Sequence, residues 1–176
     1  MKCVDLTLIR EAQAGEEKAY QKLLNIYKGR IFSYVYRIVK NYQDAEEITF
    51  ETFVRCFRSI GSFDPNRPLA PYLFSIAHNI VIDFLRKKKE DYEYLDERHT
   101  AVNDLNKKYR NIEKLEKIEI ALAEFAPIDR EIIILFHKEA CTYQEISEIV
   151  GLPVTTIKTR LHRARMRLRQ LLSKEG

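Results

Sequence analysis

Breaks are scarce in this chain: five glycines and five prolines interrupt 176 residues. Glycine loosens the backbone and proline removes a donor, so these two residues punctuate secondary structure. With few of them, apolar residues keep a three- and four-residue spacing over long runs, which favours helices over many short strands. Glu16 to Lys40 is one such run, with Ala19, Leu23, Ile26, Tyr27, Ile31 or Phe32, Val35 and Ile38 along one side. Ala70 to Lys89 is another, with Leu73, Ile76, Ala77, Ile80 and Phe84. A short first helix is expected over Asp5–Ala14, with Leu6 and Ile9 on one side and Gln13 a further candidate. After a turn at Asn41–Gln43, Asp44 is expected to cap a helix that runs to about Ile60 and buries Ala45, Ile48, Phe53 and Phe57. Gly61 to Pro68 holds a glycine and two prolines and reads as an irregular loop.

Periodicity lapses between Glu90 and Asn111, where charged and polar residues dominate, although Tyr92, Tyr94, Leu95 and Leu105 could dock on a domain. The expected architecture is all-α: two small helical domains, residues 1–90 and 112–176, joined by a polar linker over 91–111. The second should comprise Ile112–Phe125, a helix from Pro127 to about Glu139, a short helix, and a last helix from Val154 to about Ser173. Thr142-Tyr143-Gln144-Glu145 fits a capping box, in which hydroxyl and carboxylate each satisfy a backbone donor. The helix it opens turns Ile146, Ile149 and Val150 inward, and Gly151-Leu152-Pro153 breaks it.

The net charge of +4 is modest, but its distribution is not. Val154 to Lys174 carries seven basic residues and no acid, whereas Ile112 to Cys141 has seven acids against four lysines and arginines. A polyanion-binding end on an otherwise balanced protein follows. Cys3, Cys56 and Cys141 form no CxxC pair, which argues against a zinc site or a disulfide framework and suits a reducing cytosol. The N-terminal residues lack an apolar targeting core, and no run approaches the roughly 20 apolar residues that cross a bilayer, so a soluble, cytoplasmic protein is expected.

A capped short helix, a glycine turn and a longer basic helix describe a helix-turn-helix. In the last helix Ile157, Leu161, Ala164, Leu168 and Leu171 should face the core. Lys158, Thr159, His162 and Arg163 lie near the end that enters the major groove, where such side chains can donate to base edges. Arg165, Arg167 and Arg169 lie further along, suited to phosphates.

Two runs then resemble a known family. Thr142-Tyr143-Gln144-Glu145-Ile146 with Thr156 to Arg165 is similar to region 4 of the extracytoplasmic-function (group IV) sigma factors of the sigma-70 family. Asp44-Ala45-Glu46-Glu47-Ile48 with Glu51-Thr52-Phe53, then Ser62-Phe63-Asp64-Pro65, then Tyr72 to Asn79 with Asp83 to Arg86, resembles their region 2. The order and spacing agree over nearly the whole chain. The resemblance implies an RNA polymerase sigma factor that binds core polymerase, reads duplex DNA at the −35 element and captures melted DNA at the −10 element. It implies core-polymerase contacts at Glu47, Phe50, Glu51 and Arg55, and a −10 pocket at Phe63, Tyr72 and Asn79, with Arg86 and Lys87 along the backbone. Region 4 would use Lys158, Thr159, His162, Arg163, Arg165 and Arg167. An anti-sigma factor, in many relatives membrane-anchored, is the further partner implied; no cofactor, metal or small-molecule substrate is. Phe50 stands where the family usually has Gln, Tyr72 where it usually has Trp, and Pro71 interrupts the approach to that aromatic.

Asp44, Glu47, Glu51 and His78 could suggest a carboxylate metal site, but no ExxH pairs with them, so an acidic solvated or partner-binding face is expected. No P-loop, nucleophile elbow or GxGxxG is present, and no catalytic residue is expected. The alternative is a stand-alone regulator, a helix-turn-helix joined to an unrelated helical sensor domain.

Overall fold

A computed structural model of the protein describes residues 6–94, 121–122 and 124–174. All regular structure among these residues is helical. The chain divides into two compact units, residues 1–95 with 148–150 and residues 96–147 with 151–176.

The first unit holds α1 (Leu6–Gln13), α2 (Glu17–Val39), α3 (Tyr42–Ser59), a 3-10 turn (Ile60–Ser62) and α4 (Leu69–Tyr94). Helices α2, α3 and α4 pack on one another, and α1 lies against α2 and the 3-10 turn. Leu23, Ile31, Tyr34, Val35, Ile48, Phe53, Leu73, Phe74, Ala77 and Val81 form the core. Tyr34 meets Phe74 edge-on at 5.1 Å between ring centroids. The Arg30 guanidinium lies 5.6 Å from the Tyr27 ring and 5.7 Å from that of Phe74. Two threonines lie inside α3 because their hydroxyls donate one turn back, Thr49 to the Ala45 carbonyl and Thr52 to that of Ile48. Cys56, one turn further on, is also buried, and burial pushes its thiol up to about 12.

The N-cap of α3 is Asn41, not Asp44. The Asn41 side chain, on extended backbone, accepts the Asp44 N–H at 3.0 Å, so the helix starts at Tyr42 inside the expected turn. Asn and Asp cap by the same chemistry, and the earlier of the two takes the position; Asp44 then sits in the first turn, where its charge suits the dipole. Ile26 and Leu6 are exposed, while Ala12, Tyr34 and Phe74 are buried beyond the expected core. Phe57 is half-buried against Tyr20, with ring centroids 4.6 Å apart. Pro71 does not interrupt α4: in the first turn its missing N–H would have had no helical partner.

Helix α4 also continues to Tyr94, which moves the start of the linker past residue 91. Charged residues such as Lys and Glu are good helix formers, so a lapse in apolar periodicity does not end a helix that nothing breaks. The rest of the expected linker, with Leu95 and Leu105, and the expected helix from Ile112 lie outside the described residues, save 121–122, which are helical, and 124–125, which turn.

The remaining helices are α5 (Pro127–His137), α6 (Tyr143–Val150) and α7 (Val154–Lys174). Pro127 opens α5, where its fixed φ is already helical. Arg130 is buried, and its guanidinium donates to the carbonyls of Leu122 at 2.9 Å and Phe125 at 3.1 Å. Helix α5 ends at His137, two residues before the expected stop, and Ala140 follows at φ 54°. The capping box is formed: Thr142 Oγ1 accepts the Glu145 N–H, and the Glu145 carboxylate accepts the Thr142 N–H at 2.7 Å. Gly151 closes α6 in the left-handed region (φ 68°), and Ser147 Oγ donates to the Leu152 carbonyl across the turn. In α7, Ile157, Leu161 and Ala164 are buried, whereas Leu168 and Leu171 are only half-buried.

Candidate nucleic-acid interface

Helix α7 packs on α5 and presents its basic residues to solvent. These residues fall into two sets. Thr159, His162 and Arg163 are exposed, and Arg163 makes no ion pair with any described residue. Arg160, Arg165, Arg167 and Lys158 have partners within the unit. Arg160 donates to Asp129 in the first turn of α5 at 2.8 Å and is half-buried there. Arg165 lies over the Phe136 ring, 4.8 Å from its centroid, and its Nε donates to His137 Nε2 at 3.2 Å. Partial burial and the Arg165 charge together hold His137 below the usual histidine range, so the ring is neutral at pH 7 and carries its proton on Nδ1. Arg167 lies 5.1 Å from the Phe125 centroid with Glu124 at 3.8 Å, and Lys158 lies 5.6 Å from the Tyr143 centroid. Arg169 is exposed.

In the first unit the loop after α3 carries Phe63, which is 9% exposed and meets Tyr72 at 4.8 Å between ring centroids. The Tyr72 hydroxyl lies 2.6 Å from Ser59 Oγ. Ser59 has one hydroxyl proton, and it points at the Arg55 carbonyl at 2.8 Å, so tyrosine is the donor of this pair. On the downstream side Asp64 Oδ1 accepts the main-chain and side-chain N–H groups of Asn66, each at 2.9 Å. These bonds hold the Asp64 carboxyl below the usual carboxylate range. On α4, Asn79 lies seven residues beyond Tyr72 and Arg86 seven beyond Asn79, which sets an aromatic ring, an amide and a cation along one stripe of the helix. Asn79, Arg86 and Lys87 are exposed; Arg86 pairs with Asp83 at 2.9 Å, and Lys88 reaches Asp44 at 3.7 Å.

On α3, Phe50 is 71% exposed, the most open of the large apolar side chains among the described residues. It borders a groove lined by Leu24, Phe32 and Phe53, with Glu46 and Glu47 at the rim. Arg55 donates to Glu51 at 2.8 Å on the same helix. Among the described residues no three His, Cys, Asp or Glu side chains converge as a metal site requires, and no helix is long and apolar enough to cross a membrane.

Sequence reasoning missed Ser59 and Gln13, which fix the loop through bonds to residues distant in the chain, and Asp129, which holds Arg160. A helix-terminal acid in an acidic stretch beside an acid-free basic helix was the one available signal for Asp129.

An extended loop and basic-tipped helix in one unit, with a helix-turn-helix in the other, is the arrangement of a promoter-reading protein. The family of sigma-70 region 2 matches residues 23–90, and sigma-70 region 4 matches residues 115–168. The ECF RNA polymerase sigma factor SigW of Bacillus subtilis is 33% identical over 177 aligned residues, covering 93% of this chain and 94% of the relative. The ECF RNA polymerase sigma factor SigE of Mycolicibacterium smegmatis is 30% identical over 90% of this chain, which spans 63% of that relative. The sigma factor RpoE of Bartonella quintana, solved with the anti-sigma factor NepR, shares the fold at a TM-score of 0.73 and 24% identity, covering 89% of this chain and 98% of that one. The chain therefore belongs to the extracytoplasmic-function RNA polymerase sigma factors. The region 2 match sets aside the stand-alone regulator, whose first domain would be unrelated to sigma factors.

Proposed function

We propose that this chain binds core RNA polymerase in the cytoplasm and directs it to promoters, without a catalytic centre of its own. Residues 1–90, with α4 running on to Tyr94, would serve core and −10 binding, and residues 112–176 would serve −35 binding. The observation that carries the −10 assignment is the stripe of Tyr72, Asn79 and Arg86 along α4, beside a loop that presents Phe63. A ring can stack on an unpaired base, an amide can donate to and accept from its edge, and cations can follow the phosphates; Lys87 joins Arg86 in that role.

In the second unit His162, Arg163, Lys158 and Thr159 would face base edges in the major groove. Arg165 and Arg167, already lodged on aromatic rings, would contribute to phosphate binding when they swing out. The open Phe50, flanked by Glu47, Glu51 and Arg55, would dock on core polymerase as an apolar anchor with a charged rim. An anti-sigma factor is a further partner, as in the solved Bartonella complex.

Strand opening without ATP must be driven by binding, and extruding a base costs a few kcal/mol. Asn79→Ala should leave the fold and core binding intact but impair open-complex formation and selectivity at one −10 base. Permanganate footprinting of holoenzyme, beside a core-binding assay, is the test. Wild-type opening by Asn79→Ala at every −10 variant would remove this residue from the site.

A further inference from the structure

No side chain of helix α1 is among those named above for contact with DNA or core polymerase, yet its last residue reaches the loop that presents Phe63. The Gln13 side-chain amide carries two protons and uses both: Nε2 donates to the Ile60 carbonyl at 2.9 Å and to the Phe63 carbonyl at 2.7 Å. These two carbonyls mark the start of the 3-10 turn and the residue at which the chain leaves it. The Ile60 carbonyl also accepts the Phe63 N–H at 3.1 Å. One amide thus closes the turn from outside, across 47 and 50 residues of chain. Beyond it the backbone is extended at Phe63 (φ −73°, ψ 133°), and the Asp64 carboxylate fixes the next bend. Phe63 is held between these two restraints, its ring against Tyr72, whose hydroxyl Ser59 receives.

We infer that Gln13 is a positioning residue for base capture: it sets the main chain of the loop so that the Phe63–Tyr72 wall is formed before DNA arrives. The inference rests on the −10 reading given above. Its physical basis is the cost of ordering. A loop that must be fixed on binding draws that cost from the same interaction energy that extrudes the base, and a loop fixed in advance does not. Gln13 touches no DNA in this account and acts only through the carbonyls of Ile60 and Phe63.

The test uses holoenzyme reconstituted from core polymerase and full-length chain, with Gln13→Met and Gln13→Glu, which remove both donors, and Gln13→Lys, which restores donors at similar reach. Three quantities are read beside core affinity: permanganate-reactive opening of a duplex promoter, binding to a promoter whose −10 segment is already unpaired by mismatches, and discrimination among −10 bases on single-stranded non-template oligonucleotides. Loss of two hydrogen bonds should lower duplex opening by roughly tenfold in Gln13→Met and Gln13→Glu, with a smaller loss on the mismatched promoter. Single-strand discrimination should flatten, core affinity should stay within about twofold, and Gln13→Lys should recover most of the opening. Core affinity falling in step with opening, or discrimination unchanged in both donor-less variants, would overturn the inference by reducing Gln13 to a prop of the fold. Asn79→Ala serves as the internal reference. A defective Asn79→Ala beside normal Gln13 variants overturns the role of Gln13 alone, whereas a normal Asn79→Ala overturns the pocket and this inference with it.

Discussion

The two units hold their working side chains in opposite ways. In the first, the loop and the start of α4 are fixed by short, directional hydrogen bonds, Gln13 to two carbonyls, Asn66 to the Asp64 carboxylate and Tyr72 to Ser59, and the Phe63 ring is nearly buried. In the second, the long cations of α7 are lodged on rings and acids, Arg165 on Phe136 and His137, Arg167 on Phe125 and Glu124, Arg160 on Asp129. The difference suits the two tasks. A pocket for an extruded base must exist beforehand, because strand opening leaves little energy to build it. A helix that follows a duplex gains from cations that keep their charge near the groove and give up weak, solvent-screened partners for phosphates.

Four measurements would break or sharpen that contrast. The largest effect should come from Phe63→Ala, which removes a nearly buried ring and should destabilise the first unit by about 3 kcal/mol in urea unfolding. A loss below about 1 kcal/mol would mean that the ring is not part of a formed wall. Next, Arg163→Ala should cost roughly 1–3 kcal/mol of preference at one −35 position, whereas Arg167→Ala should weaken all sequences alike and reduce the salt slope by about one charge. If both variants shift every sequence equally, the division of α7 into free and lodged cations has no functional meaning. Tyr72→Phe should lower stability by about 1 kcal/mol through the lost bond to Ser59, leaving the ring contact with Phe63 intact.

The smallest effect concerns pH. His137 in the folded protein binds a proton less readily than its usual value of 6.5 allows, owing to burial and then to Arg165. The unfolded chain therefore takes up more protons as pH falls. The stabilisation is full above that usual value and is lost as pH falls through the lowered folded one. A urea titration at about pH 7.5 and about pH 5.5 should show a smaller acid loss in His137→Gln, whose side-chain oxygen can still receive Arg165.

Much of the second unit was legible because its signals are local. The capping box needs only residues 142 and 145, the turn needs only a glycine, and the stripe of Ile157, Leu161 and Ala164 follows from helical spacing. The first unit was legible in its helices and less so in its details. Asn41 and Asp44 offer the same capping chemistry three residues apart, and spacing does not choose between them. Ile26 fits an apolar stripe but lies on its outer margin, exposed. A charged stretch without apolar rhythm concealed the last turns of α4. For the loop, sequence pointed to Phe63, Tyr72 and Asn79, but the bonds that fix them come from Gln13 and Ser59. No pattern of neighbours reveals a contact 47 residues away.

The buried thiols offer a clock. Cys56 is buried and burial disfavours its thiolate, so an alkylating reagent reaches it chiefly when the first unit opens. Cys141 is buried in the second unit. The rates at which the two sulfurs are trapped, resolved by mass spectrometry of a single sample, would time the breathing of each half of the molecule separately, in the free chain and again when it is bound.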